Sequence, residues 1–318
     1  MSQMRVARTV LGDVDPTTLG VLDYHEHLFQ RSPMLPGEEL DDERRSGEEA
    51  RHLFDAGVRS MIDATPTGLG RDVEAAARIS VETGLQIIHT TGAHHSGHYP
   101  SDAPLLHSTR LAERFIADIR DGFTLDDGSR ANTPAGLPIR AGIAKAGIRY
   151  WSIGTFERRT LDAVAEASSV TGCAVMVHLD FGSAAHEVLD ILELQGVGAD
   201  RVVLAHIDRN LDPGLHTSLA QRGAYLGYDG MARHKDAPDS AILACLEASV
   251  AGGAGDRIVL GGDVARRSRY LAYGGMPGLS YLPLRFLPRL AGRIDRTAYS
   301  KITVENAARL LAMPDASA

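Results

Sequence analysis

Lysine is almost missing from this chain: of 33 basic residues only Lys145, Lys235 and Lys301 are lysines. Codon bias alone produces such scarcity, but each lysine that remains calls for a reason. Cysteine is scarcer still, with only Cys173 and Cys245 and no CxxC spacing. A disulfide framework is therefore not indicated. Aromatic residues make up 5% of the chain, with Trp151 the one tryptophan, which argues against a large apolar substrate pocket. An excess of positive charge is also lacking. The formal net charge is −8, so there is no basic footprint for nucleic acid. No apolar run is long enough to span a membrane, and the first residues lack a signal peptide's apolar core. The expectation is a cytoplasmic protein. Hydrophobic content of 44% and charged content of 23% are those of an ordinary globular chain with ample core.

What is present begins with Asp23-Tyr24-His25-Glu26-His27-Leu28. Val21 and Leu22 read as a short buried strand that runs into His25 and His27. Alternate side chains of an extended chain share a face, so both imidazoles point the same way. Two neutral nitrogen ligands at a strand end suit a divalent metal of the zinc type. Alone, a His-x-His in a chain with 13 histidines is more often incidental. The sequel changes the odds, because later apolar runs end in Lys145, His178, His206 and Asp263.

A small hairpin at residues 1–18 precedes this stretch. After it a rhythm sets in: helix 42–56, strand 58–64, helix 72–83 and strand 85–91. A long excursion follows, with His94, His95, His98 and Tyr99, a helix at 108–120 and a Gly/Asp/Asn-rich stretch at 121–138. The histidines of this excursion read as loop residues near a pocket, not as a second metal site. Then come strand 138–145, helix 157–171, strand 173–178, helix 184–195, strand 202–206, helix 211–222, strand 224–227, helix 237–250 and strand 258–263. Helices at 281–290 and 304–311 close the chain. Gly57, Gly84 and Gly172 stand just past helix ends, as expected for stop signals. Eight apolar strands alternating with helices predict an α/β fold, a (β/α)8 TIM barrel, in one domain over 1–318. A doubly wound open sheet has the same alternation. Only a closed barrel, however, brings five different strand ends around one point.

Jointly, Asp23-Tyr24-His25-Glu26-His27-Leu28, Arg140-Ala141-Gly142-Ile143-Ala144-Lys145, Val177-His178, Leu204-Ala205-His206-Ile207-Asp208, Gly261-Gly262-Asp263 and Ile302-Thr303-Val304-Glu305-Asn306-Ala307-Ala308-Arg309 resemble the phosphotriesterase family of the amidohydrolase superfamily, over essentially the whole chain. The resemblance implies a binuclear centre of two divalent ions, zinc first, with manganese, cobalt, nickel or iron as alternatives. His25, His27 and Asp263 would hold one ion and His178 and His206 the other. Lys145 would bridge them as a carbamate (N6-carboxylysine). The chemistry is consistent with this. An ammonium cannot ligate a cation, but an amine that has added carbon dioxide is a carboxylate, and a buried site favours the neutral amine needed. Two metals sharing a hydroxide give a nucleophile at neutral pH, and Asp263 is placed to move its proton. Each residue alone has a bland reading: a histidine bonded to backbone, a solvated lysine, an aspartate capping a helix.

Within the family, Tyr99, Lys235 and Arg266 resemble the phosphate clamp of lactonases acting on phosphorylated sugar lactones. A lysine point charge, an arginine fork and a phenol suit a terminal phosphate. Arg267 and Arg233 are near enough to exchange roles with Arg266 and Lys235. The expected activity is metal-dependent opening of a phosphorylated sugar lactone, a small-molecule substrate. The alternatives are a phosphotriesterase, an esterase or lactonase for unphosphorylated substrates, a mononuclear deaminase, and a metal-containing binding protein without catalysis. A deaminase would not need Lys145, and a non-catalytic relative would be expected to have lost Asp263. No nucleic acid or membrane partner is expected, and a homodimer is an open alternative.

Overall fold

The computed structural model describes residues 4–233 and 237–315. Its frame is eight parallel strands: β3 (Leu22–Glu26), β4 (Ser60–Asp63), β5 (Gln86–Gly92), β6 (Ile143–Ile148), β7 (Ala174–Leu179), β8 (Val202–Ala205), β9 (Tyr225–Tyr228) and β10 (Ile258–Leu260). They pair in sequence order from β3 to β10. Ahead of them, β1 (Arg5–Thr9) and β2 (Gly12–Val14) form the antiparallel hairpin, joined on β1's other edge by β11 (Met313–Pro314). Helices α1 (Glu43–Asp55), α2 (Val73–Thr83), α3 (Pro104–His107), α4 (Leu111–Arg120), α5 (Thr155–Thr171), α6 (Ala185–Leu194), α7 (Pro213–Arg222) and α8 (Asp239–Ala251) lie among the strands. Among the described residues no helix is long and apolar enough to cross a membrane.

The strands are buried on both faces, which is why they read as continuous apolar runs. One face of each fills the interior, where Leu22, Tyr24, Ile62, Ile88, Ile143, Met176, Val203 and Tyr225 pack together. The other face meets the helices through Met61, Ile87, Ala144, Val175 and Leu204. Sharp stops come from left-handed glycines: Gly84 and Gly172 end α2 and α5 with φ of 78° and 74°, a region that costs an L side chain energy.

Several boundaries differ from the sequence reading, among them the following three. The fourth barrel strand starts at Ile143 rather than at 138, so Lys145 is its third residue and not its last. Stagger between strands, not strand length, brings Lys145 level with Gly92 and Met176. The last barrel strand ends at Leu260, so Asp263 lies beyond it. The C-terminal helices are broken into π-helical turns at Leu282–Phe286 and Lys301–Glu305, each followed by a short α-helix.

No ladder pairing joins β10 to β3 among the described residues. The gap is bridged just past β10. Asp263 N–H donates to His25 O (2.8 Å), and Val264 N–H donates to Glu26 Oε2 (2.9 Å). Gly262 N–H donates to Asp23 Oδ1 at 3.3 Å. The first and last barrel strands are thus held together by buried carboxylates and one backbone bond.

Candidate metal centre

A local irregularity aims the histidine pair. The register of β3 against β4 shifts between Asp23 and Glu26, and such a shift changes which face later residues occupy. Leu22 and Tyr24 pack in the interior, while His25 and His27, of the opposite parity, face a common site with ring centroids 5.4 Å apart. His206 and Asp263 are turned towards it by left-handed backbone, φ 65° and 44°. Non-glycine residues hold that conformation only where surrounding structure enforces it, commonly at functional sites.

The residues converge as two touching groups. His25 Nε2 and His27 Nε2 lie 3.8 and 3.6 Å from Asp263 Oδ1. His206 Nε2 lies 2.7 Å from His178 Nδ1. Lys145 Nζ lies 3.5 Å from His25 Nε2 and donates to Ala64 O at 2.7 Å. All six are buried. Burial pushes His27 down to about 4, His206 to about 3 and His178 well below the usual histidine range. These imidazoles are neutral at pH 7, as ligands must be. Burial also pushes the Lys145 amine down to about 8, against the pull of Asp263, Asp229 and Asp63.

Asp229, just past β9, organises the set. Its Oδ1 lies 2.5 Å from His206 Nδ1 and its Oδ2 lies 3.1 Å from His25 Nδ1. The Tyr24 hydroxyl donates to Oδ2 as well. Burial alone would raise this carboxyl. His206, and then His25, outweigh it and hold Asp229 below the usual range, so it is an anion that accepts the Nδ1 protons of both rings. Each ring then presents a bare Nε2 to the site. His178 is fixed the other way round, with Nε2 facing Asp180 Oδ1 at 2.8 Å and Nδ1 bare. Consequently two lone pairs, His206 Nε2 and His178 Nδ1, face each other at 2.7 Å. An ion does not fit between nitrogens this close, but one beside them would be met by both, and the donor set fits divalent metal ions.

Asp229 is invisible in the sequence as a ligand organiser, since a lone aspartate after Tyr228 has no distinctive spacing. The strand-end position is the one available clue. Replacing Asp229 with alanine should weaken metal affinity by about 10- to 100-fold, the usual cost of losing a partner that orients ligands. Competition against a chelator measures it, and an unchanged affinity would remove Asp229 from this role.

Asp263 is the other focus. Its Oδ2 accepts from Arg209 (3.1 Å) and Arg233 (2.5 Å). Burial raises its carboxyl, but Arg233 and then His25 hold it well below the usual range. The sequence reading offers Arg233 only as an alternative clamp residue and gives no sign of Arg209, whereas the structure sets both on Asp263. Of the expected clamp, Arg266 is exposed in the loop after β10, Lys235 lies outside the described residues, and Tyr99 is buried with its hydroxyl engaged. That hydroxyl accepts from His94 N–H (2.8 Å) and donates to Thr67 O (3.1 Å). Arg267 donates its N–H to Glu38 O and stacks over Tyr273, its guanidinium 5.7 Å from the ring centroid.

A parallel eight-stranded barrel with His, Asp and Lys side chains gathered at one end defines a metal-dependent hydrolase class. The model of the phosphotriesterase family matches residues 5–311, and the chain belongs to that family. A phospho-furanose lactonase of Mycoplasmopsis synoviae is 29% identical over 330 residues, covering 98% of this chain and 93% of the relative. Among solved structures, a lactonase from Listeria monocytogenes superposes with a TM-score of 0.84 at 31% identity, covering 96% of this chain and 98% of its own. An amidohydrolase from Mycoplasma synoviae reaches 0.89 at 29% identity, with 98% and 93% covered.

Proposed function

We propose that this enzyme opens a phosphorylated sugar lactone. The observation that carries the hydrolytic part is the approach of ring nitrogens of His178 and His206 to 2.7 Å, beside the His25–His27–Asp263 group. The lactonase names of the relatives support the substrate class. His25, His27 and Asp263 would hold one ion, His178 and His206 a second, and Lys145, as its carbamate, would belong to both. Zinc is the first candidate, on the strength of neutral nitrogen donors. Ions bound there supply activation of water and polarisation of the ester carbonyl.

The remaining steps belong to the chain. Water adds to the lactone carbonyl carbon, the ring C–O bond breaks, and the product is a hydroxy acid, whose new carboxyl group releases the second water proton to solvent. Asp263 takes the proton of the attacking water and returns it to the departing ring oxygen. The arginine pair keeps its Oδ2 fixed while Oδ1 faces the histidines.

Lys235 and Arg266 would hold the distal phosphate. Arg267, stacked on Tyr273, is the weaker candidate for that part. Assaying the metal-loaded enzyme on matched phosphorylated and plain sugar lactones tests the substrate assignment; a preference for the plain lactone or for an organophosphate triester would sink it. Lys235→Ala and Arg266→Ala should each cost about 1.5–3 kcal/mol, roughly 10- to 100-fold in kcat/KM, on the phosphorylated member alone. Equal losses on both members would mean that these residues only shape their loops.

A further inference from the structure

Among the buried histidines outside the ligand groups, His216 has the most fully determined surroundings. It lies on α7, whose first turn is capped by Asp212, and it is fully buried. Its Nε2 faces two backbone carbonyl oxygens, Ile207 O at 3.1 Å and Asn210 O at 2.9 Å. A carbonyl oxygen only accepts, so Nε2 carries the proton. Burial holds the ring below the usual histidine range, against the pull of those two carbonyls. The ring is therefore neutral at pH 7 and its Nδ1 is bare. That nitrogen lies 2.6 Å from the Tyr228 hydroxyl, which donates to it. Cys245 Sγ is a more distant neighbour of the same nitrogen, at 3.5 Å.

The three partners of this ring come from two strand ends. Ile207 and Asn210 belong to the tight turn after β8, which follows His206 and contains Arg209. Tyr228 ends β9 and precedes Asp229. The ring is not there to satisfy orphaned backbone groups. Ile207 O already accepts from Asn210 N–H (3.1 Å), and Asn210 O from Asp212 N–H (2.8 Å), so His216 adds a second bond to each. A leucine would fill the same space and hold neither carbonyl. On the metal side, the same two strand ends are joined by His206 and Asp229 (2.5 Å). They are joined again by Asp208 Oδ2, which accepts from Asp229 N–H (3.1 Å) and Gly230 N–H (2.8 Å). Tyr228 instead packs with the residues that meet the helices, so the His216 link lies on the other face. We propose that His216 is a positioning residue of the metal centre: from the helix side of the barrel it fixes the spacing of the β8 and β9 ends, and so sets His206 and Arg209 against Asp229 and Asp263. The proposal rests on the reading of His206 as a metal ligand.

Four backbone amides report that spacing: Arg209 and Asn210, bonded within the turn, and Asp229 and Gly230, bonded to Asp208. In the full-length protein, loaded or stripped of metal, His216→Leu should raise their deuterium exchange about tenfold or more. Amides 217–222 of α7 should keep their protection. Under competition with a chelator the same variant should release metal about tenfold more readily than the wild type. A glutamine amide donates two N–H bonds and accepts one, so His216→Gln should recover most of both properties. Unchanged exchange at the four amides would overturn the proposal. So would a loss of protection spread equally through α7, the mark of a packing defect. Loosened amides with wild-type metal affinity would overturn it as well, because the ring would then hold the turn without setting the ligands. Should His216→Leu fail to fold, Tyr228→Phe removes only the hydroxyl that fixes Nδ1. It should shift exchange and metal release in the same direction by less, and no shift at all would overturn the proposal. A wild type that binds no metal would end the metal reading of His206. Exchange in the stripped protein would still decide whether the ring sets the strand ends, so the two readings fail separately.

Discussion

Replacing Lys145 with alanine is expected to take the metal content from close to two divalent ions per chain to one or fewer. The side chain is buried, and its Nζ sits 3.5 Å from His25 Nε2 with Ala64 O as its hydrogen-bond acceptor. An ammonium there would repel cations. With the amine pushed down to about 8, roughly one in ten is neutral at pH 7, enough to be drawn off by carbon dioxide. Carbamate formation joins the amine nitrogen to the carbon of carbon dioxide and releases one proton. The resulting carboxylate would supply the bridging anion that the histidines cannot. Lys145→Glu should therefore recover part of the metal content, because it returns a carboxylate without the modification. Elemental analysis of wild type, alanine and glutamate variants decides it. One ion per chain, indifferent to the alanine substitution, would end the binuclear reading.

Asp263→Asn is expected to retain substantial metal yet lose kcat by about 10²-fold or more, the size of a general acid–base contribution. The amide keeps an oxygen for the ion but cannot carry a proton between water and ring oxygen. It also cannot balance the two guanidiniums of Arg209 and Arg233 at Oδ2. Arg233→Gln separates these effects: it disturbs the orientation of Asp263 while leaving the carboxylate, so its loss should be smaller. Near wild-type turnover in a metal-replete Asp263→Asn would exclude the carboxylate from the chemistry.

The barrel was legible in the sequence because parallel strands covered on both faces must be apolar throughout, and because Gly84 and Gly172 occupy left-handed positions that favour glycine. The ligand-type residues were legible as well, since each follows or interrupts such a run. Three things were not. The parity of His25 and His27 depends on a register shift in β3, which no alternation pattern encodes. The start of β6 was hidden because buried Ile139 and Ala141 continue the apolar run upstream of Ile143, where the ladder begins. The proton positions on His25 and His206 depend on Asp229, which only folding brings near.

The seam between β10 and β3 has a further meaning. The barrel is a ring cut at one place, and the ligands of the first proposed ion, His25 and His27 on one lip and Asp263 on the other, straddle the cut. An ion there would be a clasp, doing between these two strands what ladder hydrogen bonds do between the other seven pairs of neighbours. Loading would then reinforce the hydrogen bonds that already join the two lips. Backbone amides at 25–26 and 262–264 should exchange with deuterium faster in the stripped protein than in the loaded one, while amides of β6 and β7, deep in the unbroken part of the ring, should be far less affected. A uniform change around the whole ring would mean that the metals act on global stability and not at the clasp.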